Sequence, residues 1–256
     1  MIIKFVKALV MTFVVGGVVV LATLLVRAYS SDPYTNAAYT WGRDVRDFRA
    51  DLRRKPIEVL RFAEVKEGER VVDLLGGAGY YAELLSNVVG SEGEIHLQNN
   101  SLFLRFSGEG LEKRLAGGRL PNVTRLDSEF ADMQLPEEVD LIFMGLSYHD
   151  IYVPRDDPTI MTSPEEFFPQ IWASLRSGGR ILVIDHAAET GSGFSAAPEL
   201  HRIAEEYAVE DFQRAGYILK GRLDLLRNPN DNYGVDIWDD EVEDNTDKFI
   251  LLFEKP

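Results

Sequence analysis

The segment VVDLLGGAGYY, residues 71–81, constrains the fold of this chain more than any other feature. Its first five residues are apolar apart from Asp73 and predict a buried strand, and Gly76, Gly77 and Gly79 predict a tight turn that leads directly into a helix. Glycine lets the backbone of such a turn approach a ligand closely, and the amino terminus of the following helix is electropositive. The segment therefore predicts the strand, ligand-binding turn and helix of an α/β sheet.

The rest of the chain alternates short apolar runs with helical patterns, which indicates a parallel sheet covered by helices on both faces. The predicted strands are residues 71–75, 93–97, 123–126, 140–146, 180–185, 217–226 and 248–254, and the predicted helices are residues 80–89, 102–115, 164–175 and 199–215. Helices interrupted at Pro56 are also expected within residues 43–61. We therefore predict one doubly wound α/β domain with a mostly parallel seven-stranded sheet over residues 43–256.

An uncharged apolar run, residues 8–26, follows Lys4 and Lys7 near the amino terminus. As a helix it would nearly match a hydrocarbon core roughly 30 Å thick. We expect residues 1–29 to form a transmembrane or signal-anchor helix and residues 30–42 to form a polar tether. A cleaved signal peptide is the main alternative. The expected location is the inner membrane with the domain outside the cytoplasm, or the periplasm if the signal is cleaved.

Composition argues against several kinds of partner and site. The formal net charge of −15 argues against a nucleic-acid partner, because phosphate binding requires a basic face. The absence of cysteine excludes disulfides, thiolate zinc sites and a cysteine nucleophile. Acidic residues crowd between positions 236 and 247, and their spacing matches no calcium loop, so we interpret them as a solvated loop. A small-molecule substrate is the expected partner.

Several segments carry a family resemblance. The turn of residues 71–81 resembles the acid-x-x-glycine-rich turn of class I S-adenosylmethionine-dependent methyltransferases. The wider stretch from residue 54 to residue 95, together with VIDHAAETGSG and ELHRI, is similar to a bacterial branch of predicted methyltransferases, and the likeness covers residues 43–256. The resemblance implies a Rossmann-like methyltransferase fold, an enzyme that transfers methyl groups, and S-adenosylmethionine as its cofactor.

The resemblance also implies which residues bind that cofactor. The matching positions are Asp73, Gly76, Gly77, Gly79, Asn99, Glu129, Phe130, Gly145 and Leu146. The glycine turn would hold the amino-acid part, Glu129 would meet the adenine amino group, and Phe130 would flank the adenine ring. Asn99 departs from the family, which usually has an acid there to accept hydrogen bonds from both ribose hydroxyls. For Glu129 the alternative is an ordinary loop acid, and for Phe130 it is core packing.

Histidines and carboxylates cluster at the predicted carboxyl edge of the sheet. His149 and Asp150 follow the fourth strand and His186 ends the fifth, so these three are the catalytic candidates, with histidine as the base. Structural hydrogen bonding is the alternative. With Asp185 and His201 they could also supply nitrogen and oxygen donors to a divalent ion. Neighbours in a strand point to opposite faces, so Asp185 and His186 are not expected to share one ion, and we predict no metal.

Two other functions stay open from the sequence. One is a non-enzymatic binding domain that kept the fold after losing the cofactor, which the amide at Asn99 suggests. The other is a metal-assisted hydrolase built on the histidine cluster.

Overall fold

One mixed sheet of seven strands forms the centre of the protein in the computed structural model, which describes residues 32–256. The strands are β1 (Arg70–Leu74), β2 (Glu94–Asn99), β3 (Val123–Asp127), β4 (Val139–Gly145), β5 (Leu175–His186), β6 (Ile218–Arg222) and β7 (Lys248–Glu254). Their order is β3-β2-β1-β4-β5-β7-β6. Strand β7 runs antiparallel to β5 and β6, and the other neighbouring pairs are parallel. The predicted seven-stranded, mostly parallel sheet is confirmed.

Helices connect the strands and flank the sheet. Within the described residues they are α1 (Pro33–Ala38), α2 (Val45–Arg54), α3 (Pro56–Phe62), α4 (Tyr80–Val89), α5 (Ser101–Leu115), α6 (Pro164–Ser174), α7 (Ala197–Leu200) and α8 (Glu205–Arg214). Pro56 separates α2 from α3, as predicted: it occupies the first turn of α3, where its missing N–H costs no helical hydrogen bond, and the preceding Lys55 is left-handed. Asn100 caps α5, where its Oδ1 accepts a hydrogen bond of 3.0 Å from the backbone N–H of Phe103.

Strand β1 shows how the sheet separates two hydrophobic cores. Successive residues of a strand point to opposite faces, so Val71 packs with Leu84 of α4 on one side. Val72 packs on the other side, in the core that contains Phe167 of α6 and Phe212 of α8. Burial on both faces explains why β1, β4 and the second half of β5 are predominantly apolar and do not alternate with polar residues.

The predicted single helix over residues 199–215 is wrong. Helix α7 ends before His201, whose φ of 54° is left-handed, and α8 begins only at Glu205. Between them Ile203 bridges to Ala187 beyond the end of β5, with hydrogen bonds from Ile203 N to His186 O (3.0 Å) and from Ala188 N to Ile203 O (2.9 Å). These tertiary bonds hold the backbone extended and so interrupt the helix.

Part of the segment predicted as a tether belongs to the domain. Residues Pro33–Ala38 form α1, with Ala37 and Ala38 buried, and the Tyr34 hydroxyl donates to the carbonyl of Val65 at 3.1 Å. Apolar contact with the domain therefore orders residues that look polar and irregular in sequence. The predicted anchor, residues 1–29, lies outside the described residues. From residue 32 onward, no helix has both the length and the apolar character needed to cross a membrane.

Candidate functional site

The carboxyl ends of the parallel strands meet at one edge of the sheet, where doubly wound folds bind their ligands. Asp73 lies near the end of β1 and Asn99 ends β2, while Gly145 and His186 end β4 and β5. Short segments after these strands carry the remaining predicted site residues. The fold therefore brings most of the predicted set to one edge.

Asp73 is a buried carboxylate with an unused oxygen. Its residue is 1% exposed, and its Oδ2 has no hydrogen-bond partner. Burial raises the pKa of Asp73 to about 7, and the backbone amide of Ala82 and the cations Arg54 and Arg114 oppose this only in part. A Cβ at Gly76 would lie 2.5 Å from Oδ2, so any residue other than glycine at position 76 would collide with the Asp73 carboxylate. Such a group is suited to bind a cation.

The turn after β1 also needs glycine for conformational reasons. Gly77 and Gly79 have φ values of 58° and 78°, in the left-handed region that side chains disfavour. A Cβ at Gly79 would in addition come within 2.8 Å of Leu97 in β2. The turn can therefore fold closely against β2 at the start of α4.

The side-chain amide of Asn99 forms two hydrogen bonds with the backbone of this turn. Its Oδ1 accepts from the backbone N–H of Gly77 at 2.8 Å, and its Nδ2 donates to the carbonyl of Gly77 at 3.0 Å. The side chain is fully buried. An ionised aspartate has no donor and cannot make the second bond. The departure from the family pattern thus has a structural reason, since Asn99 holds the turn.

We predict that Asn99→Asp lowers the free energy of unfolding by about 1–3 kcal/mol, because a carboxylate oxygen would face the Gly77 carbonyl in place of Nδ2. Urea denaturation measures this. Asn232→Asp is the matched control, because exposed Asn232 uses only its Oδ1, which accepts from Gly234 N at 2.9 Å. Equal stability of the Asn99→Asp variant and the wild type would contradict the proposed role of the amide.

Glu129 and Phe130 differ sharply in their surroundings. Glu129 Oε1 accepts from Ser101 N at 3.2 Å, but its buried Oε2 has no partner. Glu129 also lines a cavity of about 450 Å³ together with Leu104 and Ser128. Phe130 is 2% exposed and lies in the hydrophobic core, with its ring centroid 6.4 Å from that of Phe167. Glu129 can therefore meet a ligand, whereas the contacts of Phe130 are those of a core residue.

The end of β4 lies close to an aromatic pair. A Cβ at Gly145 would come within 3.1 Å of the Tyr81 ring, whose centroid lies 4.4 Å from that of Phe143. Leu146 has a φ of 67°, and its N–H donates to Ile184 O at 2.7 Å. This contact ties the chain after β4 to β5.

A buried His149–Asp185 pair follows. The imidazole Nδ1 lies 2.8 Å from Asp185 Oδ1, and the backbone N–H of His149 donates to Asp185 Oδ2 at 2.6 Å. Burial disfavours the charged imidazole, but the carboxylates of Asp185 and Asp150 together favour it more, so the pKa of His149 is raised. Because a carboxylate accepts from Nδ1–H, the lone pair of a neutral ring lies on Nε2, which is 3.6 Å from Asp150 Oδ2.

The other two histidines of this edge have different partners. His186 Nδ1 lies 2.7 Å from the Thr246 hydroxyl, and burial, together with the nearby imidazole of His149, lowers the pKa of His186. The His201 ring centroid is 5.4 Å from that of His149. Donor atoms of His149, Asp150 and His201 all lie within 4.8 Å of one another. The structure thus joins His149 and Asp150 to His201, and turns His186 toward Thr246.

Two residues near the site were absent from the predicted set of site residues. Asp185, indicated by the sequence only as a metal donor, orients His149. Arg54 of α2 lies over the rings of Tyr80 and Tyr81, with its guanidinium carbon 4.6 Å and 5.8 Å from their centroids. No sequence signal marks Arg54, because it precedes β1 and meets α4 only through the tertiary fold.

The sheet order, the antiparallel β7 and the acidic strand end before a glycine turn define the fold of class I S-adenosylmethionine-dependent methyltransferases. Several solved structures share it, including one from Aquifex aeolicus and one from Aeropyrum pernix. A SAM-dependent methyltransferase from Aquifex aeolicus has a TM-score of 0.54 and 21% identity, covering 77% of this chain and 87% of that one. Fibrillarin from Aeropyrum pernix, with natively bound S-adenosyl-L-methionine, has a TM-score of 0.50 and 15% identity, covering 74% of this chain and 67% of that one.

Curated relatives point to the same class. The ubiquinone/menaquinone biosynthesis C-methyltransferase UbiE of Xylella fastidiosa strain M23 is 30% identical over 140 residues, 54% of this chain and 51% of the relative. UbiE of Stutzerimonas stutzeri strain A1501 is 25% identical over 139 residues, again 54% of this chain and 50% of the relative. The chain spans about half the length of the curated relatives it matches. No family model matches the chain. The predicted resemblance to class I methyltransferases, whose cofactor is S-adenosylmethionine, is confirmed.

Proposed function

We propose that the protein is an S-adenosylmethionine-dependent methyltransferase that acts on a small-molecule acceptor. The observation that carries the proposal is a pair of buried carboxylate oxygens without partners, Asp73 Oδ2 near the end of β1, before the glycine turn, and Glu129 Oε2 after β3. A buried carboxylate oxygen is costly unless a ligand completes it. The family resemblance assigns these two positions to the cofactor's amino-acid part and to its adenine amino group.

Each residue of the turn then has a defined task. Ionised Asp73 binds the ligand's ammonium group, and Gly76 leaves room for that carboxylate. Asn99 fixes the shape of the turn, and Glu129 accepts a hydrogen bond from an amino group in the cavity that it lines. S-adenosylmethionine supplies, when bound, an electrophilic methyl group on a sulfonium. Transfer is an in-line displacement, so the chain contributes mainly by positioning the two reactants.

The acceptor would meet the side chains after β4 and β5. His149 and Asp150 remain the catalytic candidates there, whereas the contact of His186 with Thr246 gives His186 a structural partner. The curated relatives are C-methyltransferases of ubiquinone and menaquinone biosynthesis, which favours a small molecule as the acceptor.

A non-enzymatic binding domain that kept the fold after losing the cofactor is the second candidate function. It is favoured by Asn99, whose polar atoms are both used by Gly77 and offer no charged acceptor to a ribose. Such a domain would leave the partnerless oxygen of Asp73 without a function, which is why the methyltransferase is preferred.

Calorimetric titration of the full chain with S-adenosylmethionine distinguishes these functions and has a predicted pH dependence. Asp73 must be ionised to bind an ammonium group, and its pKa is about 7. Below that pH binding has to release a proton, so the affinity is expected to rise up to about tenfold per pH unit from pH 5 and to level off above pH 7. Absence of heat at millimolar cofactor, with a folded protein by circular dichroism, would contradict the methyltransferase. If the affinity does not change between pH 5 and pH 8, only the proposed role of Asp73 is contradicted, and the methyltransferase proposal is not.

A further inference from the structure

His149, Asp150 and His201 place three metal-binding groups around one point. Their nearest nitrogen and oxygen atoms lie within 4.8 Å of one another, with His149 buried and the other two half-buried. Metal bonds of about 2.1 Å set two ligands at most about 4.2 Å apart. Side-chain rotations that move these atoms by less than about 1 Å would therefore bring all three to a single ion.

Asp185 supplies an independent sign of a metal ligand. It is fully buried and its Oδ1 lies 2.8 Å from Nδ1 of His149, on the side of the ring away from Asp150. Histidines that bind metals commonly donate their second ring N–H to a carboxylate, which fixes the tautomer and strengthens the ligand. The pair thus presents the lone pair of Nε2 toward the cluster.

The charges around the cluster favour a cation. Asp150 and Asp185 contribute two carboxylates, and the basic side chain hydrogen-bonded to them is Arg155, whose Nη2 donates to Asp150 Oδ1 at 2.8 Å. The second oxygen of Asp150 stays on the side of His149. His186 is not part of this cluster, and its Nδ1 contacts the Thr246 hydroxyl instead.

We infer that His149, Asp150 and His201 bind one divalent transition-metal ion, of the kind that two imidazoles and a carboxylate select. Three protein ligands leave a position open on such an ion for an oxygen of the acceptor. Ion binding itself does not depend on the proposed methyl transfer. Only its use rests on that proposal: the ion would lower the pKa of an acceptor hydroxyl, which would release its proton to solvent and present an anionic oxygen.

The test is a calorimetric titration of the full chain with ZnCl₂ after treatment with a chelator. One Zn²⁺ per chain is expected, and His149→Ala or His201→Ala should each weaken binding by more than about 100-fold. Asp185→Asn should weaken it about 10- to 100-fold, because the outer hydrogen bond loses its charge. His96→Gln is the matched control, since His96 lies within β2 and should leave the affinity unchanged.

A second measurement guards against variants that fail to fold. Zn²⁺ is expected to raise the Tm of the wild type and not that of His201→Ala, whose half-buried side chain is removed at little cost to the fold. No saturable Zn²⁺ binding to the wild type, or equal affinity of the wild type and His149→Ala, would overturn the proposal and leave His149 as a proton acceptor. Both measurements omit the cofactor, so their failure is distinct from failure of the methyltransferase proposal.

Discussion

Asp73→Asn is expected to weaken the binding of S-adenosylmethionine by at least about 100-fold, which corresponds to roughly 3 kcal/mol. The substitution keeps the size of the side chain and removes the charge that would pair with the ligand's ammonium group. Calorimetric titration at pH 8, where Asp73 of the wild type is ionised, measures the loss. The rise of affinity between pH 5 and pH 7 should disappear in the same variant.

Stability separates lost binding from unfolding in this experiment. A carboxyl group whose pKa is raised by folding stabilises the native state at low pH, and this contribution is lost as the pH rises through about 7. The asparagine side chain does not ionise, so the variant does not lose stability as the pH rises. At pH 8 its free energy of unfolding should therefore equal or exceed that of the wild type. Asp140→Asn is the control, because half-buried Asp140 lies in β4 near the amino end, where it accepts from Arg70 N at 2.8 Å. Unchanged cofactor affinity in Asp73→Asn would remove the main support for the proposed function.

Asp231→Ala is expected to lower the free energy of unfolding by about 3–5 kcal/mol, because it leaves a buried guanidinium without its partner. Arg202 and Asp231 are both fully buried at their side chains, with contacts of 2.7 Å and 3.1 Å between them. Asp231 Oδ2 also accepts from the backbone N–H of Asp247 at 2.6 Å. The pair therefore connects the loop before β7, which includes Asp231 and the acidic residues 236–247, to the segment that carries His201.

Guanidinium denaturation measures this effect. Asp240→Ala is the matched control, since exposed Asp240 lies in the same loop and its loss should change stability by no more than about 0.5 kcal/mol. If Asp231→Ala costs as little as the control, the buried pair does not stabilise the loop.

Local sequence patterns predicted most of the fold. Buried strands such as β1 and β4 are predominantly apolar runs, and the glycines after β1 mark the start of α4. The break at His201 was not predictable in this way, because it depends on hydrogen bonds between Ile203 and residues at the end of β5. The packing of α1 was not predictable either, because it also depends on contacts between residues that are distant in sequence.

The sequence predicted which residues lie at the candidate site, but not which side chains contact each other there. The position of Asp73 before the glycines is a local signal, as is the placement of His149 after a strand. The partner of His149, however, lies 36 residues further along the chain, and that of His186 lies 60 residues away. Asn99 looked like a weakened ligand residue because its bonds to Gly77 are visible only in three dimensions.

The position of α1 bears on how far the domain could stand from a membrane. Helix α1 begins at Pro33 and packs on the domain, so only residues 30–32 would separate it from the predicted anchor of residues 1–29. Three residues span at most about 10 Å in any conformation. If the anchor spans the bilayer, the domain would rest against the lipid headgroups.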